Sequence, residues 1–60
     1  MTDEDILFWI QCFGNGFRHG VNGEFYIDWL DRDGFVRSTK GINIKDAVVG
    51  AKLERDALYR

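Results

Sequence analysis

Two side chains in the first third of the sequence carry the softest chemistry available. They are Cys12, the single cysteine, and His19, the single histidine. They lie seven positions apart, so they share a face if one helix runs through both. A zinc site needs three or four ligands, and no second Cys or His exists to complete one. As nucleophile and base the pair needs a pocket around it. A chain of 60 residues has little room for a concave site of ~300 Å³. Asp31-Arg32-Asp33-Gly34 looks like the middle of a calcium loop. The EF-hand pattern then requires an acid at Trp29 and a glutamate at Lys40, and fails at both ends. Gly14-Asn15-Gly16 with Gly20 looks like a phosphate-binding glycine loop. Its last spacing is off by one, and it follows a helical pattern where the dinucleotide motif follows a strand. These residues therefore predict no catalysis, metal ion, cofactor or small-molecule substrate.

Two acidic clusters remain. Asp3, Glu4 and Asp5 stand where a helix dipole favours negative charge. Asp28, Asp31 and Asp33 gather toward one end of a β-hairpin, where Asp suits a turn. If exposed together, such patches fit a basic groove on a partner, as a mimic of phosphate charge. The basic alternative, Arg32, Arg37, Lys40 and Lys45, has acids interleaved and a formal net charge of -2. Nucleic-acid binders carry a basic stripe and a positive domain charge, so nucleic acid is the weaker partner class.

The elements that must position these groups are few. The first helix starts at Thr2, which can cap it, with Asp5 three residues on in a variant capping box. Ile6, Ile10, Phe13 and Phe17 form an amphipathic stripe flanked by Trp9. Gly14 and Gly16 each cost ~1 kcal/mol in a helix, so the helix ends at Gly14 or runs on to about His19. Phe17 keeps the stripe and favours the longer helix. Glu24 to Leu30 then reads as a strand with Phe25, Ile27 and Trp29 on its core face, and Tyr26, Asp28 and Leu30 on the other. Asp31 to Gly34 is the turn, and Phe35 to Thr39 returns as the second strand. Asn43 caps the second helix, with an Ile42–Ala47 hydrophobic staple. That helix runs to about Leu58 or Tyr59, and its inner stripe is Ile44, Val48, Ala51 and Leu58, with Ala47 beside it. Arg55 falls on the same stripe and is expected to lay its stem on apolar surface and send its head to water. The predicted fold is one α+β domain over 1–60. It is a two-layer helix–β-hairpin–helix (αββα), with both helices on one face of a two-stranded antiparallel sheet.

Size and composition bound the rest. A domain this small buries only ~60% of the surface its unfolded chain exposes. One unpaired cysteine fits a reducing, cytoplasmic setting. The apolar run Ile6 to Ile10 is far shorter than the ~20 residues that span a bilayer. It follows acids where a signal peptide carries positive charge, so the expectation is a soluble protein.

Against this frame stands a surplus of large apolar residues, including five Phe, two Trp and two Tyr. Phe8 points away from the stripe of the first helix. Val49 and Leu53 point away from that of the second, framed by Asp46, Asp56 and Arg60, in the pattern of a narrow helix–helix seam. In size, acidity and aromatic content the chain resembles the small inhibitor proteins of phages and mobile elements, anti-CRISPR proteins among them. That resemblance implies a non-enzymatic protein that binds and inhibits a larger host complex. The expected contacts are Phe8, Val49 and Leu53, with Asp28, Asp31, Asp33 and Asp56. A structural homodimer and a nucleic-acid-binding regulator are the alternatives.

Overall fold

The computed structural model describes residues 1–59. Its elements are α1 (Asp3–Phe13), β1 (Gly14–His19), β2 (Phe25–Leu30), β3 (Val36–Gly41) and α2 (Ile44–Leu58). The three strands form one antiparallel sheet in the order β1-β2-β3. The class is α+β as expected, but the arrangement is αβββα, with three strands where the sequence pattern gave two.

The extra strand comes from the segment assigned to the end of the first helix. At Gly14 the backbone turns extended, with φ -67° and ψ 140°, and the chain passes directly into β1. A Cβ at Gly14 would stand 2.6 Å from the Ile10 carbonyl oxygen, so a helix end built this tightly excludes a side chain. Phe17 is therefore not the last residue of the helical stripe. It pairs with Ile27 across the sheet, and the register shifts at a bulge between Gly14 and Gly16. A third strand also answers a physical need, since an isolated two-stranded hairpin is marginal in water.

Both helix starts follow from local sequence. Thr2 Oγ1 accepts from the Asp5 N–H, and the Asp5 carboxylate accepts from the Thr2 N–H, both at 3.1 Å. Asn43 Oδ1 accepts from the Asp46 N–H at 2.8 Å. The Ile42–Ala47 staple does not form: Ala47 is buried but Ile42 is 80% exposed. The approach to α2 is fixed by Gly41, where a Cβ would lie 2.3 Å from the Ala47 backbone nitrogen. The last residue of β3 thus sits directly on the first turn of the helix.

The core is one cluster of Ile6 and Trp9 from α1, Ile27 and Trp29 from β2, and Ala47, Val48 and Ala51 from α2. Ile27 and Trp29 fall on one face by the period of two, which is the predicted core face. Two members of the expected α2 stripe are not in it, since Ile44 and Leu58 are both exposed. They are the first and last residues of α2. Trp9 meets Trp29 edge-on at 6.2 Å between ring centroids. The Trp29 indole N–H donates to Thr39 Oγ1 at 2.9 Å, and that hydroxyl donates to Glu54 Oε2 at 2.9 Å. No helix among the described residues is long and apolar enough to cross a membrane.

Candidate interaction surface

The sheet has one covered face and one open face. Cross-strand partners share a face, so Arg18, Tyr26 and Lys40 form one row on the open side and Leu30 with Val36 another. Between them Asp28 is gripped by its neighbours. Arg18 donates from Nε at 3.1 Å and from Nη2 at 3.0 Å, and Ser38 Oγ donates at 2.6 Å. The Ser38 hydroxyl first, and then Arg18, hold the Asp28 carboxyl below its ordinary pKa.

Asp31 is not the exposed charge expected at the hairpin end. Its side chain is 1% exposed. Oδ1 accepts from the Asp33 and Phe35 N–H groups at 2.9 and 3.0 Å, and Oδ2 from Arg37 Nε at 2.8 Å. The Arg37 hydrogen bond is the largest of the influences that hold its carboxyl below the ordinary value. The turn it organises closes with Gly34 at φ 83°, in the left-handed region that favours glycine. Asp33 is exposed beside it. Asp56 accepts from Lys52 Nζ at 2.8 Å, one helical turn away. The three hairpin acids therefore do not present a common negative patch: two of them are spent on internal donors. The charge-mimic reading loses its main support.

The apolar residues fare differently. Phe8 is 66% exposed and Leu53 60%, as the helical wheels place them. Val49 is only half-buried, and does not stand out from α2 as Leu53 does. Arg60, expected to frame that seam, lies outside the described residues. Two exposed groups escaped the sequence reading. Leu7 stands next to Phe8 on α1, and Phe35 adjoins the Leu30–Val36 pair at the end of the hairpin. Leu7 was detectable, because it shares the polar side of the wheel with Phe8.

Cys12 and His19 do not form a pair. The first lies in the last turn of α1 and the second ends β1, and the extended strand between them carries them apart. His19 packs against Phe25 with the rings tilted by 41° and their centroids 4.8 Å apart. Among the described residues, no three His, Cys, Asp or Glu side chains come together to hold a metal ion.

The far end of α2 is tied down by aromatic–cation contacts. The Arg55 guanidinium lies 3.9 Å from the Phe13 ring centroid and the Arg32 guanidinium 4.2 Å from that of Tyr59. The Tyr59 hydroxyl accepts from the Arg32 N–H. The Arg55 guanidinium, expected in water, thus lies over aromatic rings. Beside this end lies a shallow cavity of about 290 Å³, lined by Arg37, Glu54, Ala57 and Leu58. No family model, curated protein or solved structure matches the chain.

Proposed function

We propose that this chain is a non-enzymatic protein-binding module. One observation carries the reading: among the described residues twelve large apolar side chains are exposed, whereas the buried core holds seven residues, two of them alanine. Singly exposed apolar residues are ordinary. Here, however, they fall in groups, Leu7 with Phe8 on α1 and Leu30 with Val36 on the open face of the hairpin, and grouped apolar surface marks interaction sites. The cations support a protein partner over nucleic acid. Arg18 and Lys52 are each paired with a carboxylate, which weakens attraction to phosphate. The resemblance to phage and mobile-element inhibitors makes an inhibitor of a larger complex the specific form of this reading.

The test is affinity capture with Phe8→Asp and Leu53→Asp as controls. Both side chains are mostly exposed, so both variants are expected to keep wild-type stability within about 0.5 kcal/mol. A partner bound through these faces is retained by wild type and lost by a variant. Binding unchanged in both refutes these faces as the site. Sedimentation over a dilution series separates the homodimer: a dimer that dissociates on dilution and is lost in Leu53→Asp replaces the heterologous reading.

A further inference from the structure

The open edge of β3 is the part of the surface with the most specific shape and chemistry. Among the described residues β3 pairs only with β2, so one side of its backbone has no strand of these residues beside it. The phase of the ladder identifies which groups point outward. The Asp31 N–H donates to the Phe35 carbonyl at 3.0 Å, which makes Asp31/Phe35 a hydrogen-bonded pair. Antiparallel pairs alternate, so Arg37, Thr39 and Gly41 bond to β2. Val36, Ser38 and Lys40 then turn their N–H and C=O groups away from it. These are the groups an added strand would use.

The side chains along this edge select what can be added. On the helix side runs the groove between β3 and α2, lined by Arg37, Glu54, Ala57 and Leu58. At about 290 Å³ it falls just below the ~300–1,000 Å³ of small-molecule sites, but it accommodates one or two side chains. Arg37 uses Nε for Asp31, and its two terminal nitrogens have no hydrogen-bond acceptor among the described residues. A planar guanidinium with this fork open is suited to a carboxylate. Glu54 stands toward Thr39, whose hydroxyl donates to it. Its negative charge directs an incoming carboxylate to the Arg37 end. The Ala57 and Leu58 side chains offer apolar surface to the methylenes of a glutamate. On the open side of the sheet, Val36 and Leu30 form an exposed apolar pair that a Val or Ile of the added strand would cover.

We infer that the β3 edge takes an extended peptide segment of a partner protein as a fourth strand, with Glu facing the α2 groove and a β-branched residue facing Val36. This rests on the protein-binding reading and names the partner's chemistry. Two alternatives fit less well. A second copy joined through β3 would bring two Arg37 and two Lys40 side chains onto one short edge, the charge arrangement that opposes self-pairing. The β1 edge is interrupted by its bulge.

The test uses two capped ten-residue peptides, alternating Glu-Val and alternating Lys-Val, with amide exchange read residue by residue on the intact protein. The Glu-Val peptide is expected to bind with a Kd of about 1 mM or tighter. It should slow exchange at Val36, Ser38 and Lys40, leaving Arg37 and Thr39, already bonded to β2, unchanged. The Lys-Val peptide should do neither. Val36→Pro removes one outward N–H without touching the β2 ladder, and Pro is tolerated on edge strands. It should weaken Glu-Val binding at least about tenfold, the loss of a bond worth roughly 1.4 kcal/mol. Protection by neither peptide, or by both equally, overturns the proposal. So does protection confined to Phe17 and His19 of β1. Slow exchange at the three amides without peptide, vanishing on dilution, shows a second copy on the edge and also overturns it. Any of these results, together with partner binding still lost in Phe8→Asp, discards the edge site and leaves the wider reading standing.

Discussion

Thr39→Val should destabilise the protein out of proportion to the one atom it changes. Thr39 is buried, and its hydroxyl is the only acceptor among the described residues for the indole N–H of Trp29, which is fully buried. Valine has nearly the same shape, so packing is preserved and the acceptor is lost. A buried donor left unpaired costs about 1–3 kcal/mol. The other side of the exchange adds little, because Glu54 is exposed and water replaces the hydroxyl it loses. The expected cost is therefore about 2 kcal/mol. A 60-residue domain has a total stability of roughly 3–9 kcal/mol, so Tm should fall by about 10 °C or more. Thr39→Ser supplies the contrast. It keeps the hydroxyl and removes the methyl that lies close against Gly50 of α2, at a cost of about 1 kcal/mol. Trp29→Phe removes the donor. In that background Thr39→Val should cost at least about 1 kcal/mol less than in wild type, which a double-mutant cycle of thermal or urea unfolding measures. If Thr39→Val melts within 2 °C of wild type, or shows no coupling to Trp29→Phe, the buried indole bond contributes nothing and the reasoning fails.

Acid sensitivity should centre on three carboxylates. Asp5, Asp28 and Asp31 all have folded pKa values below the ordinary one, held there first by the Thr2 backbone N–H, Ser38 and Arg37 respectively. Groups shifted in this direction add stability that is complete above the unfolded carboxylate pKa of about 4 and is lost as pH falls through the lower folded values. The urea midpoint should thus hold steady from pH 7 to about 5 and decline below about pH 4, less steeply in Asp28→Asn; an equal decline in that variant would contradict its assignment. Gly41→Ala should be worse tolerated than Gly50→Ala. Its Cβ would meet backbone atoms of Ala47 and Asp46, whereas that at Gly50 meets one methyl at 3.1 Å. Equal urea midpoints for the two would show that the β3–α2 junction can move freely.

What the sequence made legible was whatever a few adjacent residues decide. The Thr2 and Asn43 caps, the turn closing at Gly34 and the inward face of Ile27 and Trp29 need only local pattern, and all are present in the fold. The missing strand is a failure of the same kind of evidence. Ile6, Ile10, Phe13 and Phe17 keep a helical spacing across the true boundary, so periodicity carried the helix past Gly14. What makes Gly14–His19 a strand is pairing with β2, and its two glycines and single Phe give little strand signal alone. The acids show a second limit. A turn explains an Asp at position 31, but only the fold brings Arg37 and two backbone N–H groups around it, converting an expected contact into an internal tie. Phe8 and Leu53 were readable because exposure on a helix follows directly from angle.

The connection between β1 and β2 gives the molecule a place to be handled. Val21 is fully exposed there, and the loop closes on itself through the Gly20–Glu24 and Gly23–Gly20 backbone bonds. It lies at the opposite end of the strands from the Asp31 turn. A fluorophore or surface tether installed at Val21 would extend into water, away from both the α2 groove and the packed tryptophans. The protein can thus be immobilised by this loop with its proposed contacts left accessible.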